Sequence, residues 1–204
     1  MGVHADIAFD KDEFNEYTLF HNPSQSGGLD FYESVKDNLG FTTENAKQLA
    51  AILRQVQQDG QPVKWVVHSQ GGIIFKQALN HHVKKFPGQM LDLNSVVFHA
   101  GGNNKRVTEK LLKKVGIRKE GPDRDNPFDM VPNIAGGNHL NPAALRRSIL
   151  FAKKVTGDGS STAESPHTLP FLSLEAYHHF LMMAGDQKSA QRVDNYIKKL
   201  IPKH

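Results

Sequence analysis

The segment Trp65-Val66-Val67-His68-Ser69-Gln70-Gly71-Gly72 constrains this chain more tightly than any other. A β-branched apolar run stops at a serine, and two glycines then open an apolar stretch of helical period, from Gly72 to Lys85. A strand that turns into a helix within one residue strains that residue and lifts it above the sheet edge, so its neighbours must be small. Gly71 and Gly72 meet that need downstream, while two positions upstream Val67 stands where a smaller residue is usual. The new helix would bring unpaired N–H groups and a positive dipole end close to Ser69. The plain alternative is a buried strand followed by an ordinary Gly-Gly turn, and the context on either side decides between the two.

That context is an alternation of strand and helix. Glu16 to His21 has strand composition, with Tyr17, Leu19 and His21 on one side, and it runs into a polar, Gly-rich loop from Asn22 to Gly28. Leu29 to Leu39 predicts a short helix ended by Gly40. Thr42 or Thr43 then caps a long amphipathic helix to about Gln58, with Ala46, Leu49, Ala50, Leu53 and Val56 at spacings of three and four. Val63 to His68 and Asn94 to Ala100 predict buried strands, and Thr108 to Val115 a helix between loops. The order reads as α/β, a mainly parallel sheet flanked by helices.

Farther on, Pro122, Pro127 and Pro132 exclude a helix from Gly121 to Pro132. Residues 141–155 read as a helix, or as a helix joined to a strand at Ile149-Leu150-Phe151. A flexible Ser/Thr/Gly/Pro stretch spans 157–170, and Leu174 to Met183 and Ala190 to Leu200 predict terminal helices. No repeat or boundary divides the chain, so residues 1–204 read as a single domain whose acidic first 15 residues fray or form an edge.

With 204 residues the chain can bury about two-thirds of its unfolded surface. It has no cysteine, hence no disulfide, thiolate chemistry or Cys-based metal site. No His-Glu-x-x-His or carboxylate cluster suggests a metal, and the Gly-Gly-Asn runs lack the Lys-Ser/Thr of a phosphate loop, so no cofactor is expected. The net charge of +4 is mild. Its short basic clusters, such as Arg146-Arg147 and Lys198-Lys199, read as solvated helix faces without interleaved aromatics, and no nucleic-acid partner is expected. No apolar run reaches the roughly 18 residues of a membrane span and no signal peptide opens the chain. The protein is therefore soluble as made, or a domain of something longer.

A serine hydroxyl becomes a useful nucleophile when a histidine takes its proton, and the histidine needs an acid to fix its tautomer. The strand–serine–helix turn at Ser69 resembles the nucleophile elbow of α/β-hydrolases, and that resemblance implies the order serine, acid, histidine along the chain. The strongest acid candidate is Asp129, in Asn126-Pro127-Phe128-Asp129-Met130-Val131-Pro132; the alternative role for it is capping backbone N–H groups in its own turn. Asp123 and Asp125 are exposed-looking rivals. For the base, His167 in Ser165-Pro166-His167-Thr168 leads, ahead of His139, the helical pair His178-His179, and His204. An oxyanion would be met by the backbone N–H of Gln70 and by a second donor from the upstream loop, Asn22 or Ser24, because Pro23 has no N–H. His81 and His82 read as solvent-facing at a helix end, and His99 as a hydrogen-bonded histidine of the core or a cleft.

Taken together, the elbow at Ser69, the Asp129-Met130-Val131-Pro132 turn and the His167 loop resemble the α/β-hydrolase superfamily, and within it the lipase-like domains of secreted bacterial effectors. Asp129-x-Val-Pro is similar to the Asp-Pro-Val-Pro turn that carries the acid in many lipases, and His167 to Tyr177 resembles their His-Ser-Leu-x-x-x-Tyr tail with a longer gap. The resemblance spans roughly residues 16–180. It implies a reduced or truncated hydrolase sheet and hydrolysis of a carboxylic ester, a lipid or phospholipid acyl ester, with peripheral membrane contact and no cofactor. Ser69, Asp129 and His167 would form the triad and Gln70 with Asn22 or Ser24 the oxyanion hole. The rival expectation is a noncatalytic binding domain that keeps the same scaffold.

Overall fold

The computed structural model describes Thr18, Phe20 and residues 42–156, 165–168 and 171–201. In chain order these form α1 (Glu44–Asp59), β1 (Val63–His68), α2 (Gly71–Lys85), β2 (Asn94–His99), α3 (Lys105–Val115), β3 (Arg118–Lys119), a π-helical turn (Val131–Ala135), α4 (Pro142–Leu150), α5 (Ala152–Thr156), α6 (Leu174–Met183) and α7 (Gln187–Leu200). Among the described residues the strands make one all-parallel sheet in the order β1-β2-β3, and helices flank it. This is a reduced α/β fold.

Central β2 is buried along its whole length, as a parallel strand covered on both faces must be. Its register pairs Trp65 with Val96 and His68 with His99, so β1 and β2 end level with each other. Helix α1 begins where the Thr43 hydroxyl accepts a hydrogen bond from the Ala46 N–H, and it stops at Gly60, whose φ of 70° is left-handed. It buries Ala46, Leu49, Ala50 and Leu53 in the cluster shared by β1, α2 and β2. Asn94, buried at the start of β2, ties the layers: its amide donates to the carbonyls of Leu53 and Leu91, and its carbonyl accepts from Trp65 Nε1. A second cluster, built on Phe128, Phe151, Phe171, Tyr177 and Leu181, packs α6 and α7 around the segment that carries Asp129.

Several expectations change. Pro132 does not prevent a helix; it sits in the first positions of the π-helical turn, where a missing N–H costs nothing because the first turn has no intrahelical partner for it. Residues 149–151 are not a strand. Helix α4 runs to Leu150 and breaks at Phe151, which is fully buried against Phe128. His82 is not solvent-facing but completely buried within α2, where its Nε2–H donates to the Gln89 carbonyl at 3.0 Å. Strand β3 is too short and too charged to show alternation, and only its pairing with Ser95 and Val96 reveals it. Of the predicted strand at 16–21 only Thr18 and Phe20 are described, and Phe20 packs on the first cluster. The predicted helix at 29–39 lies outside the described residues.

Candidate active site

Ser69 follows the last residue of β1 with φ 55°, in the left-handed region. Among the described residues only one other non-glycine shares that region, Ala100 at φ 47°, and it directly follows the neighbouring strand β2. Such a conformation costs an L-residue about 1–2 kcal/mol. Surrounding hydrogen bonds hold it: the Ser69 carbonyl accepts from the N–H groups of Gly72 and Gly102 at 3.0 and 2.9 Å, and the Ser69 N–H donates to the His99 carbonyl.

The glycines around the elbow serve different contacts. A Cβ on Gly72 would lie 2.4 Å from Asn103 Oδ1, and one on Gly101 would lie equally close to that same atom. Asn103 is buried between them, its amide donating to Thr108 Oγ1 at 3.0 Å. Gly71 is less demanding, since a Cβ there would meet Val67 Cγ1 at 3.4 Å. Val67 therefore fits this elbow because the residue facing it is Gly71.

Three sequence candidates meet. His167 Nε2 lies 2.8 Å from Ser69 Oγ, and His167 Nδ1 lies 2.6 Å from Asp129 Oδ2. An ionised carboxylate only accepts, so Nδ1 carries the proton and donates it to Asp129; Nε2 is left to accept from the serine hydroxyl. Asp129 has no solvent exposure. A carboxylate so placed must be fully hydrogen-bonded, and its second oxygen accepts from the Val131 N–H at 2.9 Å. The two roles weighed for Asp129, turn capping and partner of a histidine, are thus divided between its two oxygens. Asn126 braces the loop: its carbonyl oxygen accepts from the Phe128 N–H, and its amide donates to the Phe171 carbonyl, close behind His167.

Comparison of the chain with protein-family models, with curated proteins and with solved structures returned no match. The chemistry of the site therefore rests on its own geometry.

His68 is a participant that the sequence reading treated only as a neighbour of the serine. Its Nε2–H donates to the His167 carbonyl at 3.2 Å, and its ring lies 4.8 Å from the His167 ring. Burial, and then the charge of His167, lower its pKa to about 4, so it is neutral near pH 7 and adds no repulsion when His167 becomes charged. His99, beside it in register, is lowered to about 4 by burial and then by Arg124. The signal available in the sequence was the parallel pairing itself, which sets the residue before the serine level with the end of β2.

The other candidates lie elsewhere. Asp123 and Asp125 are not exposed; they are largely buried in an ion cluster with Lys105 and Lys119, where burial raises the Asp125 pKa. His139 is exposed after the π-helical turn, and His178 and His179 are half-buried and exposed on α6. Asn22, Ser24 and His204 lie outside the described residues. Gln70 is the N-cap of α2, and the first donors of the helical ladder are Gly72 and Ile73, so the Gln70 N–H precedes the ladder beside Ser69.

Proposed function

We propose that the chain is a serine hydrolase of carboxylic esters, a reduced member of the α/β-hydrolase superfamily acting on lipid or phospholipid acyl esters. The observation that carries this reading is the continuous line from Ser69 Oγ through His167 to Asp129, at 2.8 and 2.6 Å, with the serine on a strained strand-to-helix turn. Ser69 Oγ attacks the ester carbonyl while His167 Nε2 takes its proton, and the charged imidazole is stabilised by the buried Asp129 carboxylate. The negative charge that forms on the carbonyl oxygen faces the N-terminus of α2 and the Gln70 N–H. Collapse of the tetrahedral species expels the alcohol, which receives the proton from His167. Water, deprotonated by the same nitrogen, then releases the acid and restores Ser69.

An acyl-lipid substrate is supported by the large apolar side chains left on the surface, Ile149, Met182, Met183 and Ile201 among them. Among the described residues no helix is long and apolar enough to cross a membrane, so contact with a lipid phase would be peripheral. Hydrolysis of a short p-nitrophenyl ester tests the reading. Ser69→Ala should abolish turnover with an unchanged thermal midpoint, and full activity in that variant would overturn it. A scaffold that only binds a partner would give no turnover in either form.

A further inference from the structure

Away from Ser69, helices α4 and α7 line a groove of about 600 Å³. Arg146 and Arg147 reach it from α4, Arg192 and Lys199 from α7, and Phe128 and Tyr196 are also in its wall. Among the described residues no carboxylate lines it. The neighbouring acids are already engaged, Asp186 by Lys154 at 3.0 Å and Asp194 by Lys198 at 2.7 Å, and none of the four groove cations forms an ion pair with a described residue. Four cations with no ion-pair partner among the described residues repel one another around one concavity, and an anion seated among them relieves that repulsion.

Arg147 is prepared for such an anion. Its guanidinium lies 4.7 Å over the Tyr196 ring, and its buried Nε has no hydrogen-bond partner among the described residues. A guanidinium stacked by its face keeps its in-plane N–H edge for a phosphate. Leu150 also lines the groove, 46% exposed, and elsewhere on the same two helices Ile149 and Leu200 are 63% and 58% exposed. Exposed aliphatics beside cations suit a lipid–water interface, where the cations meet headgroup phosphates and the aliphatics enter the acyl boundary. A free phosphate would make no use of the exposed aliphatics.

We infer that the α4/α7 groove seats the headgroup phosphate of an anionic phospholipid and holds the protein at a membrane surface. Phe128, in the groove wall, is the residue before Asp129, so the docking face adjoins the loop that supplies the acid. Membrane binding is read without ester turnover, so this inference and the hydrolase reading fail separately.

The test is co-sedimentation of the full chain with phosphatidylcholine vesicles, with and without phosphatidylglycerol. The expected result is binding that requires phosphatidylglycerol, weakens with added salt, and falls roughly 30-fold in Arg146→Gln/Arg192→Gln, two basic residues being removed from an anionic surface. Lys199→Glu, an exposed site, is the second variant, and Leu150→Ser should weaken binding without changing its salt dependence. Unchanged thermal midpoints show that the variants fold. Equal binding to both vesicle types, or full binding by both charge variants, would overturn the inference. Binding of glycerol 3-phosphate without vesicle binding would assign the groove to a soluble phosphate, and binding of a DNA duplex instead of vesicles would assign it to nucleic acid; either overturns the membrane role.

Discussion

Replacing Gly72 with alanine tests the clamp that shapes the elbow. The added Cβ would lie 2.4 Å from Asn103 Oδ1 and 3.2 Å from both Cγ and the backbone nitrogen of Asn103. The closest of these is about 1 Å inside the roughly 3.5 Å at which nonbonded atoms pack comfortably. Asn103 has little room to retreat, because the Cα of Gly101 closes its other side and its amide is committed to Thr108. Overpacking of this kind costs about 1–3 kcal/mol, and weakening a buried hydrogen bond adds about 1, so the variant should lose ~2–4 kcal/mol. For a chain of this size that lowers the thermal midpoint by roughly 5–15 °C. The strain also reaches the serine, whose carbonyl accepts from the Gly72 N–H, so modification of Ser69 by a fluorophosphonate should slow. Differential scanning calorimetry and labelling rates read the two effects. Gly72→Ala/Asn103→Ala, which removes the obstructing side chain, should be less destabilised than the sum of its single changes. Gly71→Ala, facing Val67 at 3.4 Å, should cost little. A Gly72→Ala midpoint within about 2 °C of wild type would refute the argument that Asn103 is rigidly held.

Asp129→Asn should lower kcat/KM for ester hydrolysis by about 10³–10⁴-fold, because an amide cannot hold Nδ1 as the donor and stabilise the charged imidazole; steady-state rates within tenfold of wild type would deny Asp129 that role. The neutral histidines predict a pH dependence of stability. His68 and His99 have folded pKa values of about 4 against 6.5 in a free side chain, so between those values the unfolded chain binds more protons and stability drops as the pH is lowered. Between pH 7 and 5 the loss should be about 2 kcal/mol for each histidine, and it ends below about pH 4. Urea midpoints across that range measure it, and His68→Gln should remove about half of the slope; an unaltered slope would contradict the assignment to His68.

What could be read from the sequence was what local sterics write. The elbow is a short-range problem, and Val63 to Gly72 carries strand, turn and helix in consecutive residues. Chain order and loop composition brought Asp129 and His167 forward, but Asp123, Asp125 and His139 met similar criteria, and only tertiary placement separates them. Asp125 is turned toward Lys105, whereas Asp129 is fixed by Val131 and Asn126, neither of which signals such a role locally. The role of Asn103 depends on Gly72 and Gly101 on two different segments, and no periodicity reports such a contact. His82 was misread because a histidine pair near a helix end has the composition of a solvated face; its carbonyl partner, Gln89, comes from the turn beyond the helix. Pro132 shows the same limit, since a proline bars a helix interior but not its first turn.

Covalent modification reads whether Ser69 is an activated nucleophile. The purified protein would be treated with a fluorophosphonate, digested and mapped by mass spectrometry beside Ser69→Ala and His167→Ala. One adduct is expected, on Ser69, absent from the first variant and formed far more slowly in the second. Folded wild-type protein that carries no adduct at Ser69, or that is modified equally fast without His167, would contradict that activation.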